Sequence, residues 1–199
     1  MGINMERFQA QIEFILEVDK MKSIIRQTYI ADGTRKENDA EHSWHMALMC
    51  VIFCEYANEE IDVLKTVKMA MIHDLVEIDA GDTYAYDSED NKTKEMREKK
   101  AANRIFGLLP QDLESEFRGL WEEFEAQETN ESKFVNALDK VQPLLLNDAS
   151  GGRSWLEHGI KVSQVIKRNE FTADGSKALW QHAKQLIAKN VRKKNLIDG

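Results

Sequence analysis

Apolar side chains recur along this chain at intervals of three and four residues, and no stretch of any length alternates residue by residue. That spacing predicts a succession of amphipathic helices. The first is expected over about residues 5 to 25, with Phe8, Ile12, Ile15 and Leu16 in helical register and Val18, Met21 and Ile25 continuing it. The polar run "ADGTRKEND" breaks the pattern, and Asp39 is placed to cap a second helix reaching about Tyr56, lined by Met46, Met49, Cys50 and Phe53. A third, capped by Asp62, is predicted from Val63 to Glu77 with Leu64, Val67, Met71 and Leu75 apolar.

The stretch 78 to 89 reads as a polar loop, followed by a helix through "KEMREKKAANRIFGLL" and a break at Pro110. In "QDLESEFRGLWEEFEAQ", Leu113, Phe117, Leu120, Trp121 and Phe124 fall on one stripe, which suits core packing, a partner surface or a homodimer seam. A further helix starts near Asn130 or Glu131 and carries Val135, Leu138, Val141 and Leu145. Pro143 lies inside it and is expected to bend it or force a local adjustment. "NDASGGRS" is a turn, and two helices near 154 to 169 and 176 to 191 complete the chain. The expectation is an all-α bundle forming a single domain over 1–199.

Composition narrows the function more than the fold. With 35 acids against 27 bases the formal charge is -8, which speaks against nucleic acid or an anionic membrane as partner. A small phosphorylated ligand remains compatible, because a metal or an arginine inverts the potential inside one pocket. Cys50 and Cys54 lie four apart on one helical face and read as two thiols of a reducing compartment. The N-terminal "MGINMERFQAQ" has no apolar signal core and no stretch reaches membrane-span length, so a cytoplasmic protein is expected.

Candidate chemistry sits where ionisable groups interrupt apolar faces. His73 and Asp74 follow Met69-Ala70-Met71-Ile72 directly. His42 and His45 share a helical face, and His42 begins the stripe continued by Met46, Met49 and Phe53. Asp139 lies next to Leu138 and four after Val135. A buried carboxylate must be neutralised, paired with a cation or bound to metal. A divalent ion would give His42, His73, Asp74 and Asp139 a common physical purpose, since imidazole nitrogen and carboxylate oxygen are standard transition-metal ligands.

The series His42, His73-Asp74, Asp139 resembles the H…HD…D signature of the HD-domain metal-dependent phosphohydrolases. The segments "ENDAEHSWHMALM", "MAMIHDLVEIDAGDTYAYD" and "NALDKVQPLLLND" are similar to the branch containing the bacterial 5'-deoxynucleotidases and HD domain-containing protein 2. The resemblance extends from the first helix to about residue 150, with a metal-site core at about 20–150 and helices at 154–191 beyond it. It implies that His42, His73, Asp74 and Asp139 hold one divalent ion. Two imidazoles with two carboxylates suit Co, Mn, Fe, Ni or Zn better than Mg.

The same resemblance implies a 5'-deoxynucleotidase that releases phosphate from deoxyribonucleoside 5'-monophosphates by attack of a metal-activated water. Within "E-x-x-x-G-D", Glu77 matches the glutamate that handles the water or leaving group, and Asp82 the loop aspartate near the phosphate or sugar. Arg26 matches an arginine that contacts the substrate phosphate. Gln27 stands beside it where the bacterial enzymes carry tryptophan. Arg35 and Lys36 are further phosphate candidates, and His45 reads as a pocket or packing residue. His158 and His182 read as ordinary surface or packing positions. Competing expectations are a phosphatase for another small phosphomonoester and a non-catalytic, metal-stabilised interaction module. A homodimer is expected.

Overall fold

The computed structural model describes residues 3–82, 86 and 91–197, with the backbone alone at 91 and 92. In chain order the helices are α1 (Met5–Val18), α2 (Asp39–Phe53), α3 (Val63–Ile72), α4 (Glu77–Ala80), α5 (Asn91–Phe106), α6 (Gln111–Ala126), α7 (Asn130–Ala149), α8 (Arg153–His158), α9 (Val162–Asn169), α10 (Thr172–Gly175) and α11 (Lys177–Arg192). Strands β1 (Ile25–Tyr29) and β2 (Lys36–Asn38) pair antiparallel between α1 and α2. Among the described residues the fold is all-α apart from this ribbon. None of the described helices is long and apolar enough to cross a membrane.

α7 is the central element, touching α2, α3, α6 and α11. Its cap is Thr129, whose side chain accepts from the Ser132 amide. Phe134, Val135, Leu138 and Val141 are fully enclosed. The helix runs unbroken through Pro143. Proline offers no N–H to the carbonyl four residues back, so the Asp139 carbonyl receives no helical hydrogen bond from position 143. α2 begins with a reciprocal cap: Asn38 accepts from the Glu41 amide at 2.9 Å and Glu41 accepts from the Asn38 amide at 3.2 Å. The cap is thus Asn38 and not Asp39, whose side chain turns inward and is completely buried.

Three expectations are corrected. The first helix stops at Val18, a short 3-10 turn spans Asp19–Ser23, and Arg26 lies on β1 instead of a helix end. Phe14 and Met21 are buried there, whereas Ile15 and Leu16 are exposed. The third helix ends at Ile72, and its buried residues are Thr66, Met69, Ala70 and Ile72, with His73 buried just beyond the end and Leu64 and Met71 exposed. The helix expected over 154 to 169 is divided by Gly159, whose left-handed backbone ends α8.

The stripe on α6 belongs to the core: Leu120, Trp121 and Phe124 are buried, and Leu113 and Phe117 pack against them. Cys50 and Cys54 are free thiols. His158 and His182 are exposed. The rest of the expected loop, 83–85 and 87–89, lies outside the described residues.

Gly152 starts α8 in the left-handed region at φ +75°, and a Cβ there would lie 2.5 Å from the Cβ of Asn195. Gly152→Ala combines strain with that clash, and is expected to cost about 1–3 kcal/mol. Denaturant unfolding of the variant beside the wild type measures it, and equal midpoints would contradict the expectation.

Candidate metal centre

Three segments bring their side chains to one buried point. α2 supplies His42 just beyond its cap, the end of α3 supplies His73 and Asp74, and the middle of α7 supplies Asp139. His42 Nε2 lies 3.2 Å from Asp139 Oδ1 and 3.7 Å from Asp74 Oδ2. His73 Nε2 lies 3.1 Å from Asp74 Oδ1 and 3.9 Å from Asp139 Oδ1. One ligand atom from each of His42, His73 and Asp139 can be chosen so that all fall within 4.8 Å of one another.

The adjacent His73 and Asp74 diverge around the helix axis, so both reach the centre only because it lies between them. After Ile72 the backbone tightens: Leu75 N bonds to Ile72 O, and Glu77 N to Asp74 O, before α4 resumes. Such i→i+3 turns rotate successive side chains further apart than an α-helix does. Gly81, at φ +77°, then ends α4 and leads the chain to Asp82.

The donors fit a divalent ion. His73 Nδ1 lies 2.9 Å from the Ala70 carbonyl, which needs an N–H there and leaves the lone pair on Nε2. That Nε2 is buried without a hydrogen-bond partner. It faces two carboxylates, which are acceptors as well, so an electron-poor atom among them resolves the conflict.

The electrostatics run the same way. Burial raises the Asp139 carboxyl, but the His42 hydrogen bond and charge hold it well below the usual range. Burial likewise opposes ionisation of Asp74, and His73 and Arg26 overcome it. For His42, burial and Arg26 push down, yet Asp139, Glu37 and Asp74 raise it to about 9.

A second set of carboxylates surrounds Arg26. Its Nη1 donates to Asp74 Oδ2 at 2.7 Å and Asp39 Oδ1 at 3.0 Å, while Nε lies 3.8 Å from Glu37 Oε2. Glu37 also accepts from Gln142 Nε2 at 2.9 Å and stands 3.6 Å from His42 Nδ1. The β1–β2 ribbon therefore braces both Asp74 and His42. Glu77 is buried with its Oε2 lacking a hydrogen-bond partner. Burial, then the charges of Asp74 and Asp39, push its carboxyl well above the ordinary range against the pull of Arg26. Burial and Asp74 raise Asp39 to about 6.

A cavity opens over this centre, lined by Arg26, Gln27, Asp74, Glu77, Asp82 and Asp139 among the residues singled out from sequence. Burial, opposed by Arg26, raises the Asp82 carboxyl. Arg35 and His45 do not line it. Arg35 pairs with Glu41 at 2.7 Å, and His45 Nδ1 faces Gln142 Nε2 at 3.2 Å. Lys36 donates to Gln27 Oε1 at 2.6 Å. Sequence reasoning missed Glu37 and Asp39 as braces, and Lys94, Lys140, Trp155 and Arg168 in the wall. "ENDAEH" offered one signal, a run of acids too dense for a single cap.

Two buried imidazoles beside two carboxylates that line a charged cavity define an all-α protein with a buried centre of metal-binding type. The chain belongs to the HD domain family, whose model matches residues 18–180. It is 31% identical over 135 residues to 5'-deoxynucleotidase HDDC2 of Bos taurus, covering 67% of this chain and 64% of that one. The match thus spans just under two thirds of that relative's length. The Dictyostelium discoideum protein of the same name is 33% identical over 140 residues, covering 67% and 74%. Among solved structures, a "Predicted metal-dependent phosphohydrolase" from Magnetospirillum magnetotacticum MS-1 superposes with a TM-score of 0.91. It is 46% identical, with 96% of this chain and 95% of that one covered.

Proposed function

We propose that this chain is a metal-dependent phosphohydrolase that releases phosphate from deoxyribonucleoside 5'-monophosphates. The observation that carries the reading is the buried, unpartnered Nε2 of His73 facing Asp74 and Asp139, which themselves line a cavity also lined by cations. The names of the relatives, 5'-deoxynucleotidase and metal-dependent phosphohydrolase, support the substrate class and the chemistry.

His42, His73, Asp74 and Asp139 would hold one divalent ion, and their mixed nitrogen and oxygen donors favour Co, Mn, Fe, Ni or Zn over Mg. Such an ion acts as a Lewis acid toward phosphoryl oxygen and lowers the proton affinity of water. The chain's own residues supply the rest. Arg26 fixes the Asp74 carboxylate, Glu77 moves a proton between the attacking water and the leaving oxygen, and Asp82 meets the substrate beside Glu77 at the cavity wall.

Preference for deoxyribose follows if the 2'-hydroxyl of a ribonucleotide is desolvated without a partner, which costs about 1–3 kcal/mol, or roughly a 5- to 150-fold preference. Specificity constants for each deoxy and ribo pair, measured with Co, Mn, Mg and Zn, test this. Equal constants across the pairs would remove the deoxynucleotide assignment. Absence of phosphate release from every nucleotide and simple phosphate ester would remove the phosphohydrolase reading itself.

A further inference from the structure

We infer that Lys140 and Arg168 form the anion-binding wall of the cavity and grip the substrate phosphate, the task that the sequence pattern assigned to Arg26. The inference rests on the phosphomonoester reading above and adds to it the two side chains that recognise the phosphate.

Among the described residues, four cations line the cavity: Arg26, Lys94, Lys140 and Arg168. Two are already committed. Arg26 is buried among Asp39, Asp74 and Glu37, with its Nη1 shared between two carboxylates. Lys94 pairs with Glu98 at 3.4 Å. Among the described residues, Lys140 and Arg168 make neither a hydrogen bond nor an ion pair. Both are half-buried. A partly desolvated cation without a counter-ion is unfavourable, and a second one beside it more so.

Their placement gives the cavity two chemically different sides. Arg26 acts electrostatically on Asp74, Glu77, Asp39 and Asp82, so the proton-handling carboxylates gather around it. Arg168 acts on Asp139 and Lys140, and also on Tyr86. Lys140 directly follows Asp139 on α7, and Arg168 reaches the cavity from α9, which packs against α7. With Asp139 engaged by an ion, Lys140 keeps only the field of Asp174 and Glu125, neither of which pairs with it directly, and both cations line the cavity.

A phosphomonoester dianion supplies what they lack. The guanidinium offers a planar fork that matches two phosphate oxygens, and the ammonium offers a point charge beside it. Held this way, the non-bridging oxygens face α7 and α9, and the ester oxygen is turned toward Glu77. Positioning by Lys140 and Arg168 thereby brings the leaving group to the acid side of the cavity.

The test uses the full chain loaded with its best metal. In Arg168→Gln and in Lys140→Gln, KM should rise about 10- to 100-fold, the range for loss of a charged hydrogen bond, with kcat changing much less. Competitive inhibition by inorganic phosphate should weaken by the same factor, elemental analysis should find the metal content unchanged, and Arg168→Lys should recover part of the loss. Unchanged KM and unchanged phosphate inhibition in folded variants would overturn the proposal. So would a loss of turnover with phosphate affinity intact, which marks a structural role.

Calorimetric titration of inorganic phosphate into the metal-free and metal-loaded protein separates this idea from the catalytic one. Phosphate binding that weakens in the variants supports the wall even if no ester is hydrolysed, and absence of phosphate binding by the wild type overturns it. If Arg168→Gln fails to fold, Lys140→Gln and Arg168→Lys decide.

Discussion

Asp74→Ala and His73→Ala are each expected to lose the bound transition ion and nearly all phosphate release. The side chains act as one assembly. Asp74 directs Oδ1 to His73 and Oδ2 to Arg26, so its removal takes away a ligand and leaves Nη1 of Arg26 with Asp39 alone. Removing His73 deletes the nitrogen whose lone pair is fixed by the Ala70 carbonyl, and takes from Asp74 and Asp139 the donor atom that approaches both. Loss of a supporting partner alone typically weakens metal affinity about 10- to 100-fold, and loss of a ligand should exceed that. Elemental analysis of the purified variants, with thermal midpoints taken with and without added metal, is the measurement. His73 also packs on Phe124, at 5.0 Å between ring centroids, so His73→Gln is the companion that keeps more of the volume. Full occupancy at this site in both ligand variants would refute the quartet.

How much of this centre was legible depended on how each residue contrasts with its neighbours. Asp139 stands out because Val135, Leu138 and Val141 surround it on a helix whose pattern is unambiguous, and those three are fully buried. His42 was visible for the same reason, at the head of a stripe through Met46 and Met49. The third helix was harder. Its buried residues are Thr66, Met69, Ala70 and Ile72, with the polar His73 buried just beyond its end, while Leu64 and Met71 point outward. Counting apolar residues therefore mixes core positions, Val67 and Leu75, with the exposed Leu64 and Met71, and His73 stands out by its chemistry instead.

Arg26 was misplaced for a different reason. A five-residue strand next to a three-residue one is too short to display alternation, and Ile24 and Ile25 extend the helical rhythm past the helix end. Lys140 and Arg168 left no signal at all, because a charged residue on a helix ordinarily means a solvated face. Their role depends on α9 folding back against α7, a long-range contact that no local window contains.

Glu77→Gln should separate proton transfer from metal binding. Glutamine keeps the size of the side chain, and its amide can donate to Asp39, whose Oδ2 is buried without a partner. The substitution also removes a buried carboxyl from beside Asp74 and Asp39, so the fold should be retained or slightly strengthened. Glu77 lies outside the set formed by His42, His73 and Asp139 and groups instead with Asp39 and Asp74, where the Arg26 guanidinium already supplies the positive charge, so the metal content is expected to remain that of the wild type. What is lost is a group able to take a proton from the attacking water or give one to the leaving oxygen. A positioned acid or base contributes typically about 100- to 10,000-fold, so kcat is expected to fall roughly 100-fold or more with KM little changed. Steady-state kinetics with the best deoxynucleotide, run beside elemental analysis of the same preparations, gives both readings. If turnover is unchanged while the metal is retained, Glu77 only completes the carboxylate set around Arg26, and the proton must be carried by another group at the wall, of which Asp82 is the nearest in sequence.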